Sequence, residues 1–275
     1  MAETRWIYDL TIFLYAASVL FYFHDFLQSN RKVNRLAFGL LAVVWALQTL
    51  FFASQMWEKA YFPVLTLFET LFFYSWVLVT LSLVINYFFR IDALIFFTNV
   101  IGFAVLTLSI FLPVGPLIEP SSHALTLTSE LLFIHVTMAI VSYGTFSLSM
   151  IFSSLYLLQH KMLKQKRWPQ MFRRLPSLER LEQFSFRLNM FGVPMLLLAV
   201  ILGSIWAQLV LSSHFWLDPK VWMSATVLAA YSFALYKRLT DTWEGKKLAV
   251  WNMVAFLLVI FNFLLTDISN FHRWL

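Results

Sequence analysis

LLFIHVTMAIVSYGTFSLSMIFSSLYLL occupies residues 131–158 and contains no charged side chain. A helix needs about 20 apolar residues to cross the hydrocarbon core of a bilayer, whereas a barrel strand needs about 10. Only helices and closed barrels satisfy their own backbone where there is no water. A run of this length therefore predicts a membrane-spanning helix and excludes a barrel.

Seven further apolar runs surround this one, so the sequence predicts an all-α polytopic membrane helix bundle with eight transmembrane helices. The chain has 275 residues, of which 60% are hydrophobic and 12% charged. Soluble domains are about 45–50% apolar and could not hide this much apolar surface. We expect a single integral membrane domain over residues 1–275. Its spans fall near 7–26, 36–55, 64–87, 93–112, 131–158, 187–211, 221–236 and 248–266.

The basic residues are sorted to one side of the predicted membrane. Sixteen of the twenty Lys and Arg residues fall in the loops of one face, eight of them between residues 161 and 187. Cytoplasmic loops carry an excess of Lys and Arg, so this face is predicted to be cytoplasmic and both termini to lie outside. The net charge of +6 then needs no nucleic-acid partner.

One long cytoplasmic connection is predicted at residues 159–186, where the basic cluster lies. Within it, Ser177 can cap a helix that has Leu181 and Phe184 on one apolar side and charged residues opposite. An amphipathic helix of this kind can lie flat on a membrane. We expect it to lie on the inner leaflet.

The available residue types limit the chemistry of the chain. There is no cysteine, which excludes disulfides, thiolate metal sites and covalent thioether attachment of haem. No phosphate loop, hydrolase triad, zinc motif or pair of carboxylates of hydrolase type is evident in the sequence. We therefore expect a protein that is not an enzyme, with histidine as its strongest soft ligand.

Four of the six histidines fall toward the predicted outer side: His123, His135, His214 and His272. His135 lies about one turn inside the fifth span, where an imidazole needs a partner. Either an iron atom or an interhelical hydrogen bond can supply one. His272 follows the eighth span at a height where it can face His135, and two imidazoles can bind haem iron from opposite sides. His123 and His214 are ordinary loop residues or substitute ligands.

Aromatic residues concentrate before the seventh span, in GSIWAQLVLSSHFWLDPKVWM at residues 203–223. This stretch places Trp206, Trp216 and Trp222 around Asp218 and Lys220. An interfacial aromatic belt is one explanation for the tryptophans. The other is a haem platform, in which flat rings stack on the porphyrin and the lysine pairs with a propionate.

An acidic residue, Glu69, lies within the predicted third span, in FPVLTLFETLFFYSW at residues 62–76. A charged side chain inside a span costs about 3 kcal/mol on insertion scales. We therefore expect Glu69 to face inward. It then belongs either to a functional polar seam or to a structural hydrogen bond.

These segments together resemble the CcsA and CcmC type of haem-handling cytochrome c assembly proteins. Residues 62–76 resemble their early helix with its acidic residue, and IHVTMAIVSYGTF at residues 134–146 resembles the helix that bears their first external haem histidine. Residues 206–220 resemble their tryptophan-rich segment, and SNFHRWL at residues 269–275 falls where their second external histidine lies. The resemblance implies non-covalent haem b, with His135 and His272 as iron ligands and contacts from Glu69, Trp206, Trp216, Asp218, Lys220 and Trp222.

The opening residues 5–52 and the overall length are most similar to the small HemX-type branch of that family, from Gram-positive bacteria. Leu50 and Tyr236 stand roughly where relatives have transmembrane haem ligands, so a haem relay through the membrane is not expected. The resemblance implies a bacterial cell-membrane protein tied to haem biosynthesis, with glutamyl-tRNA reductase or a regulator of it as cytoplasmic partner. A haem lyase or delivery component in cytochrome c maturation and a transporter of haem or a precursor are the alternatives.

Overall fold

The computed structural model describes residues 2–28, 30–59, 63–64, 66–89, 91–111, 126–166, 175–210, 218–240 and 242–265. Regular secondary structure in these ranges is helical throughout, which confirms the all-α prediction. The helices are α1 (Ala2–Gln28), α2 (Arg31–Lys59), α3 (Leu67–Phe89), α4 (Asp92–Ser109), α5 (Thr126–Lys164), α6 (Leu178–Val210), α7 (Pro219–Leu239) and α8 (Lys246–Leu264).

Seven of these helices are long and apolar enough to cross a membrane, which makes the chain a multi-pass membrane protein. The exception is α7. Its 21 residues correspond to about 32 Å of helix, which is long enough for a bilayer core. Its most apolar 18-residue stretch is less hydrophobic than those of the other seven, because Ser, Thr, Lys and Arg side chains interrupt the apolar ones.

The predicted amphipathic surface helix is the beginning of α6. Ser177 does precede this helix, and its hydroxyl accepts a hydrogen bond from the Arg180 N–H at 3.4 Å. The segment is not a separate helix, because α6 runs without a break from Leu178 to Val210, and its position on the inner leaflet stays a prediction. Its apolar side is occupied by protein: Phe184 stacks on Phe152 of α5 at 5.1 Å between ring centroids.

The helices form two compact units, which we call unit 1 (α1–α4) and unit 2 (α5–α8). In unit 1, α1 packs against α2 and α4, while α3 packs against α4 and α2. In unit 2, α5 packs against α6 and α8, while α7 packs against α8 and α6. Each unit is therefore a set of four helices with its own interior.

The helix α1 presents polar groups to the interior of unit 1. Each of its buried side chains, among those described, carries a hydroxyl or a carboxyl: Tyr8, Thr11, Tyr15, Ser18, Tyr22 and Asp25. They alternate at intervals of three and four residues, which places them on one helical face. The apolar Phe13 and Leu20 are exposed on the other side. The helix α1 therefore exposes apolar side chains on its lipid side and packs its polar side chains against the protein.

In unit 2, buried amides and hydroxyls join α5, α6 and α8. The Asn252 amide of α8 donates to the hydroxyls of Ser153 at 3.1 Å and Ser185 at 2.7 Å. Its oxygen accepts from the Asn189 amide at 3.0 Å. The Ser149 and Ser185 hydroxyls lie 2.9 Å apart. One asparagine therefore connects three helices at a position where no side chain of the network can turn to solvent.

We expect Asn252→Leu to lower the melting temperature of the purified protein in detergent. The substitution leaves buried donors and acceptors on Ser185 and Asn189 without their partner, at a cost of roughly 1–3 kcal/mol. The control is Leu257→Ala, because Leu257 lies on the same helix and is 62% exposed. Equal melting temperatures for Asn252→Leu and wild type would contradict this role of the network.

Candidate functional site

The side chain of His135 on α5 is fixed by a backbone carbonyl of α6. Its Nδ1 atom lies 2.6 Å from the Ala199 carbonyl oxygen. A carbonyl oxygen can only accept, so Nδ1 carries the proton in this contact. In the neutral imidazole, Nε2 then keeps its lone pair. The contact therefore makes Nε2 available as a metal ligand or hydrogen-bond acceptor.

A glycine on α6 makes room for this imidazole. A Cβ atom at Gly203 would lie 2.5 Å from Cε1 of His135 and 2.7 Å from its Nδ1. Gly203 follows Ala199 by four residues, about one helical turn. The ring therefore reaches the Ala199 carbonyl through space that a side chain at position 203 would fill.

The beginning of α7 belongs to the same neighbourhood. The Lys220 ammonium is close enough to act electrostatically on the His135 imidazole. Asp218 caps α7, since its Oδ1 accepts a hydrogen bond from the Lys220 N–H at 2.8 Å and Pro219 takes the first helical position. This cap accounts for the acidic residue among the tryptophans. It also fixes the position of Lys220 in the first turn of α7.

The two described tryptophans of this region differ in exposure. Trp206 is half-buried on α6, three residues beyond Gly203. Trp222 is 65% exposed on α7, as suits an interfacial aromatic residue. Four residues predicted for the site or its surroundings lie outside the described residues: His123, His214, Trp216 and His272.

Glu69 belongs to unit 1 and is engaged at the beginning of α3. The Thr66 N–H donates to Glu69 Oε2 at 3.0 Å, and the Glu69 N–H donates to Thr66 Oγ1 at 3.2 Å. These reciprocal bonds form a capping box. A carboxylate in the first helical turn also interacts favourably with the helix dipole. The structural hydrogen bond, one of the two alternatives for Glu69, is therefore present.

Further along α3, two tryptophans pair with two threonines across α2 and α3. Trp76 Nε1 donates to Thr49 Oγ1 at 3.0 Å, and Trp45 Nε1 donates to Thr80 Oγ1 at 2.9 Å. The hydroxyls of Thr49 and Thr80 donate in turn to the carbonyls of Trp45 and Trp76, both at 2.8 Å. The polar side of α3 beyond Glu69 thus contains interhelical hydrogen bonds.

No group of three His, Asp or Glu side chains suited to a metal ion occurs in the part of the chain that the structure describes. A bare ion such as zinc takes three or four protein ligands. A single imidazole of fixed tautomer instead suits a metal whose other ligands come mostly from its own cofactor, as the porphyrin nitrogens do for haem iron.

The chain is similar to known proteins over almost its whole length. Residues 64–272 match the family model described as cytochrome C assembly protein. The chain is 65% identical over 274 residues to Protein HemX of Brevibacillus brevis, with 100% of both chains covered. It is 51% identical over 265 residues to Protein HemX of Bacillus subtilis (strain 168), with 95% of both covered. A more distant relative is the cytochrome c biogenesis protein CcsA of Trieres chinensis, 25% identical over 281 residues that cover 90% of this chain and 88% of the relative.

We expect Gly203→Ala to displace the His135 ring and to lower the melting temperature. The new methyl group collides with the imidazole, which cannot move without losing the Ala199 hydrogen bond. The matched control is Gly39→Ala, because a Cβ there meets nothing within 4 Å. In a helix interior this change should stabilise the protein by up to about 1 kcal/mol. If both variants have the same melting temperature, the position of the His135 ring does not depend on the space left by Gly203.

Proposed function

Because the chain belongs to the cytochrome c assembly protein family, in its HemX branch, we propose that it is a haem-binding membrane protein tied to the regulation of haem biosynthesis. The observation that carries this proposal is the hydrogen bond from His135 Nδ1 to the Ala199 carbonyl. Histidines that ligate metals almost always donate their other ring N–H to a carbonyl, a carboxylate or water. His135 thus already has the arrangement that an iron ligand needs.

In this proposal His135, through Nε2, and His272 would bind the iron of haem b. The haem is bound non-covalently, since the chain has no cysteine for a thioether bond. When bound, it would supply an iron centre that takes imidazole nitrogens as ligands. Lys220 would pair with a propionate, and Trp206 would pack against the porphyrin. The remaining proposed contacts follow the family resemblance: Glu69, Trp216, Asp218 and Trp222.

We also propose eight crossings of the bacterial cell membrane, with both termini outside. The helix α7 supplies the eighth crossing and ends with Lys237 and Arg238 in its last turn. The last turn of α5 likewise contains Lys161 and Lys164. Because cytoplasmic ends of spans are enriched in Lys and Arg, both ends are assigned to the cytoplasm. The proposed haem site then lies toward the outer side.

The proposed output is regulatory rather than enzymatic. The helix α5 is continuous from Thr126 to Lys164, with His135 near one end and basic residues at the other. Ligation at His135 favours one packing of α5 against α6 and α8 over others, and a ligand shifts such an equilibrium by its differential affinity. The cytoplasmic partner that responds is glutamyl-tRNA reductase or a protein that controls its level.

The CcsA relatives are named as cytochrome c biogenesis proteins, which favours a second candidate, a role in cytochrome c maturation. In this role we propose that the chain delivers haem to apocytochrome c. Deletion of the gene separates the two. Under the regulatory proposal, the level of glutamyl-tRNA reductase changes and covalent haem staining of c-type cytochromes persists. Loss of the staining at an unchanged reductase level would support haem delivery instead.

The primary test is the absorption spectrum of the purified protein after haem loading. We expect the wild type to show a low-spin spectrum typical of two histidine ligands, and His135→Ala and His272→Ala each to convert or abolish it. His160→Ala is the control, because His160 lies 25 residues further along α5 and stacks on Tyr156 at 6.0 Å between centroids. A wild type that binds no haem, or two outer variants with unchanged spectra, would refute the site.

A further inference from the structure

One side of the helix α6 is exposed along its length, and its composition changes at two positions. All of its exposed side chains from Met190 to Ile205 are apolar, and the nearest exposed polar residues on either side are Arg187 and Gln208. These two are 21 residues apart in the chain, which corresponds to about 32 Å of helix. The hydrocarbon core of a bilayer is about 30 Å thick. Arg187 and Gln208 therefore mark the two edges of a lipid-facing surface.

Arg187 lies at the end of this surface that the proposed topology assigns to the cytoplasm. The Cα–Cβ bonds of a helix tilt toward its N-terminus, which for α6 is the direction from the hydrocarbon core to the headgroups. A long basic side chain at such a position can keep its apolar stem against lipid and extend its charge to the interface. The exposed Arg187 thus brings its guanidinium to the level of the lipid phosphates.

A second exposed arginine, Arg180, lies on the same side of α6. It precedes Arg187 by seven residues, which is two helical turns or about 10 Å. In the part of the chain that the structure describes, neither guanidinium forms an ion pair or a hydrogen bond with another side chain. Both therefore keep their donors for a partner outside the protein.

The carboxylates at this end of unit 2 are engaged by other side chains. Glu179 accepts a hydrogen bond from the Gln183 amide at 3.1 Å. Glu182 and Glu244 both pair with Arg238, at 3.2 Å and 3.0 Å between nitrogen and oxygen. The three carboxylates thus have partners other than the two exposed arginines.

The charge of this end favours an anionic ligand. Residues 160–166, 177–187, 236–240 and 242–247 include nine Lys and Arg residues against three Glu. The positive-inside rule accounts for an excess of this kind as a whole. It does not account for two arginines aligned on the lipid-facing side of one helix. A guanidinium can bind two oxygens of a phosphate at once, whereas an ammonium acts as a point charge.

We propose that Arg187 and Arg180 form a binding site for an anionic phospholipid of the inner leaflet, of the phosphatidylglycerol class. Arg187 binds the phosphate with its guanidinium, and Arg180 adds a second positive charge on the headgroup side. An acyl chain lies along Met190 and Phe191, which are exposed one turn beyond Arg187 on the same side of α6. The choice of leaflet rests on the proposed topology, and the site does not involve the proposed haem ligands.

The test is native mass spectrometry of the full-length protein in detergent, titrated with phosphatidylglycerol or with phosphatidylcholine of the same acyl chains. We expect the wild type to bind phosphatidylglycerol severalfold more tightly than phosphatidylcholine. Arg187→Gln should remove this preference. Arg187→Lys should bind with intermediate affinity, because it keeps the charge and loses the contact with two phosphate oxygens. Arg180→Gln should lower the affinity by a smaller factor than Arg187→Gln.

The matched control is Lys247→Gln, because it also removes one positive charge from an exposed side chain, in the first turn of α8. It should bind phosphatidylglycerol like the wild type. Equal losses of affinity in Lys247→Gln and Arg187→Gln would show a general attraction to a basic surface and would overturn the site. A wild type that binds the two lipids equally well overturns it too.

Two further measurements separate loss of binding from other effects. Arg187 is exposed, so Arg187→Gln should keep the wild-type melting temperature in detergent. Its spectrum after haem loading should match that of the wild type, which keeps the lipid result distinct from the haem proposal. If Arg187→Gln melts like the wild type and still prefers phosphatidylglycerol, the lipid site is refuted.

Discussion

A polar group inside a membrane-spanning unit has no water to bond with, so it must find its partner within the protein. This constraint determines much of the interior of both units. In unit 2 it joins α5, α6 and α8 through Asn252, and it brings the His135 imidazole onto the Ala199 carbonyl. In unit 1 it places every described buried side chain of α1 on a single face. The helices therefore meet where their polar atoms match.

The same constraint bears on the two alternatives for His135, because the interhelical hydrogen bond is present. An interhelical hydrogen bond and an iron ligand are mutually exclusive only if one ring nitrogen has to serve both. The structure uses Nδ1 for the hydrogen bond, and the neutral ring then has its lone pair on Nε2. A structural contact and a ligand position can thus coexist in one side chain. The contact also limits rotation of the ring, which lowers the entropy lost when a ligand binds.

The sequence was sufficient to predict the helical fold, because long apolar runs are visible in the residue order. It also indicated that the lone His135 imidazole within one of these runs needs a partner. The sequence could not predict that the Ala199 carbonyl is the hydrogen-bond partner of His135, because every residue type has a backbone carbonyl. Gly203 left a weak signal, since an isolated glycine in a helix usually has a packing reason. The grouping into two units was also hidden, because hydropathy identifies spans without saying which of them touch.

Two acidic residues could have been interpreted better from local patterns alone. The sequence around Glu69 has threonine three residues earlier, the spacing of a capping box, and Asp218 is followed by proline, as is common at a helix start. Both carboxylates bond to backbone N–H groups at helix ends. Each carboxylate therefore fixes the beginning of a helix, and for Asp218 this helix carries Lys220.

The pairing of α5 with α6 bears on how an event at His135 can be transmitted. The two helices are joined near one end by His135 and Ala199, and again by Ser149 and Ser185. On α5 these contacts are 14 residues apart, about 21 Å of helix. If α5 shifts against α6 at His135, the hydrogen bond between Ser149 and Ser185 is strained. It is not strained if the two helices move together as one rigid body. Since Ser185 also bonds to Asn252, either response reaches α8.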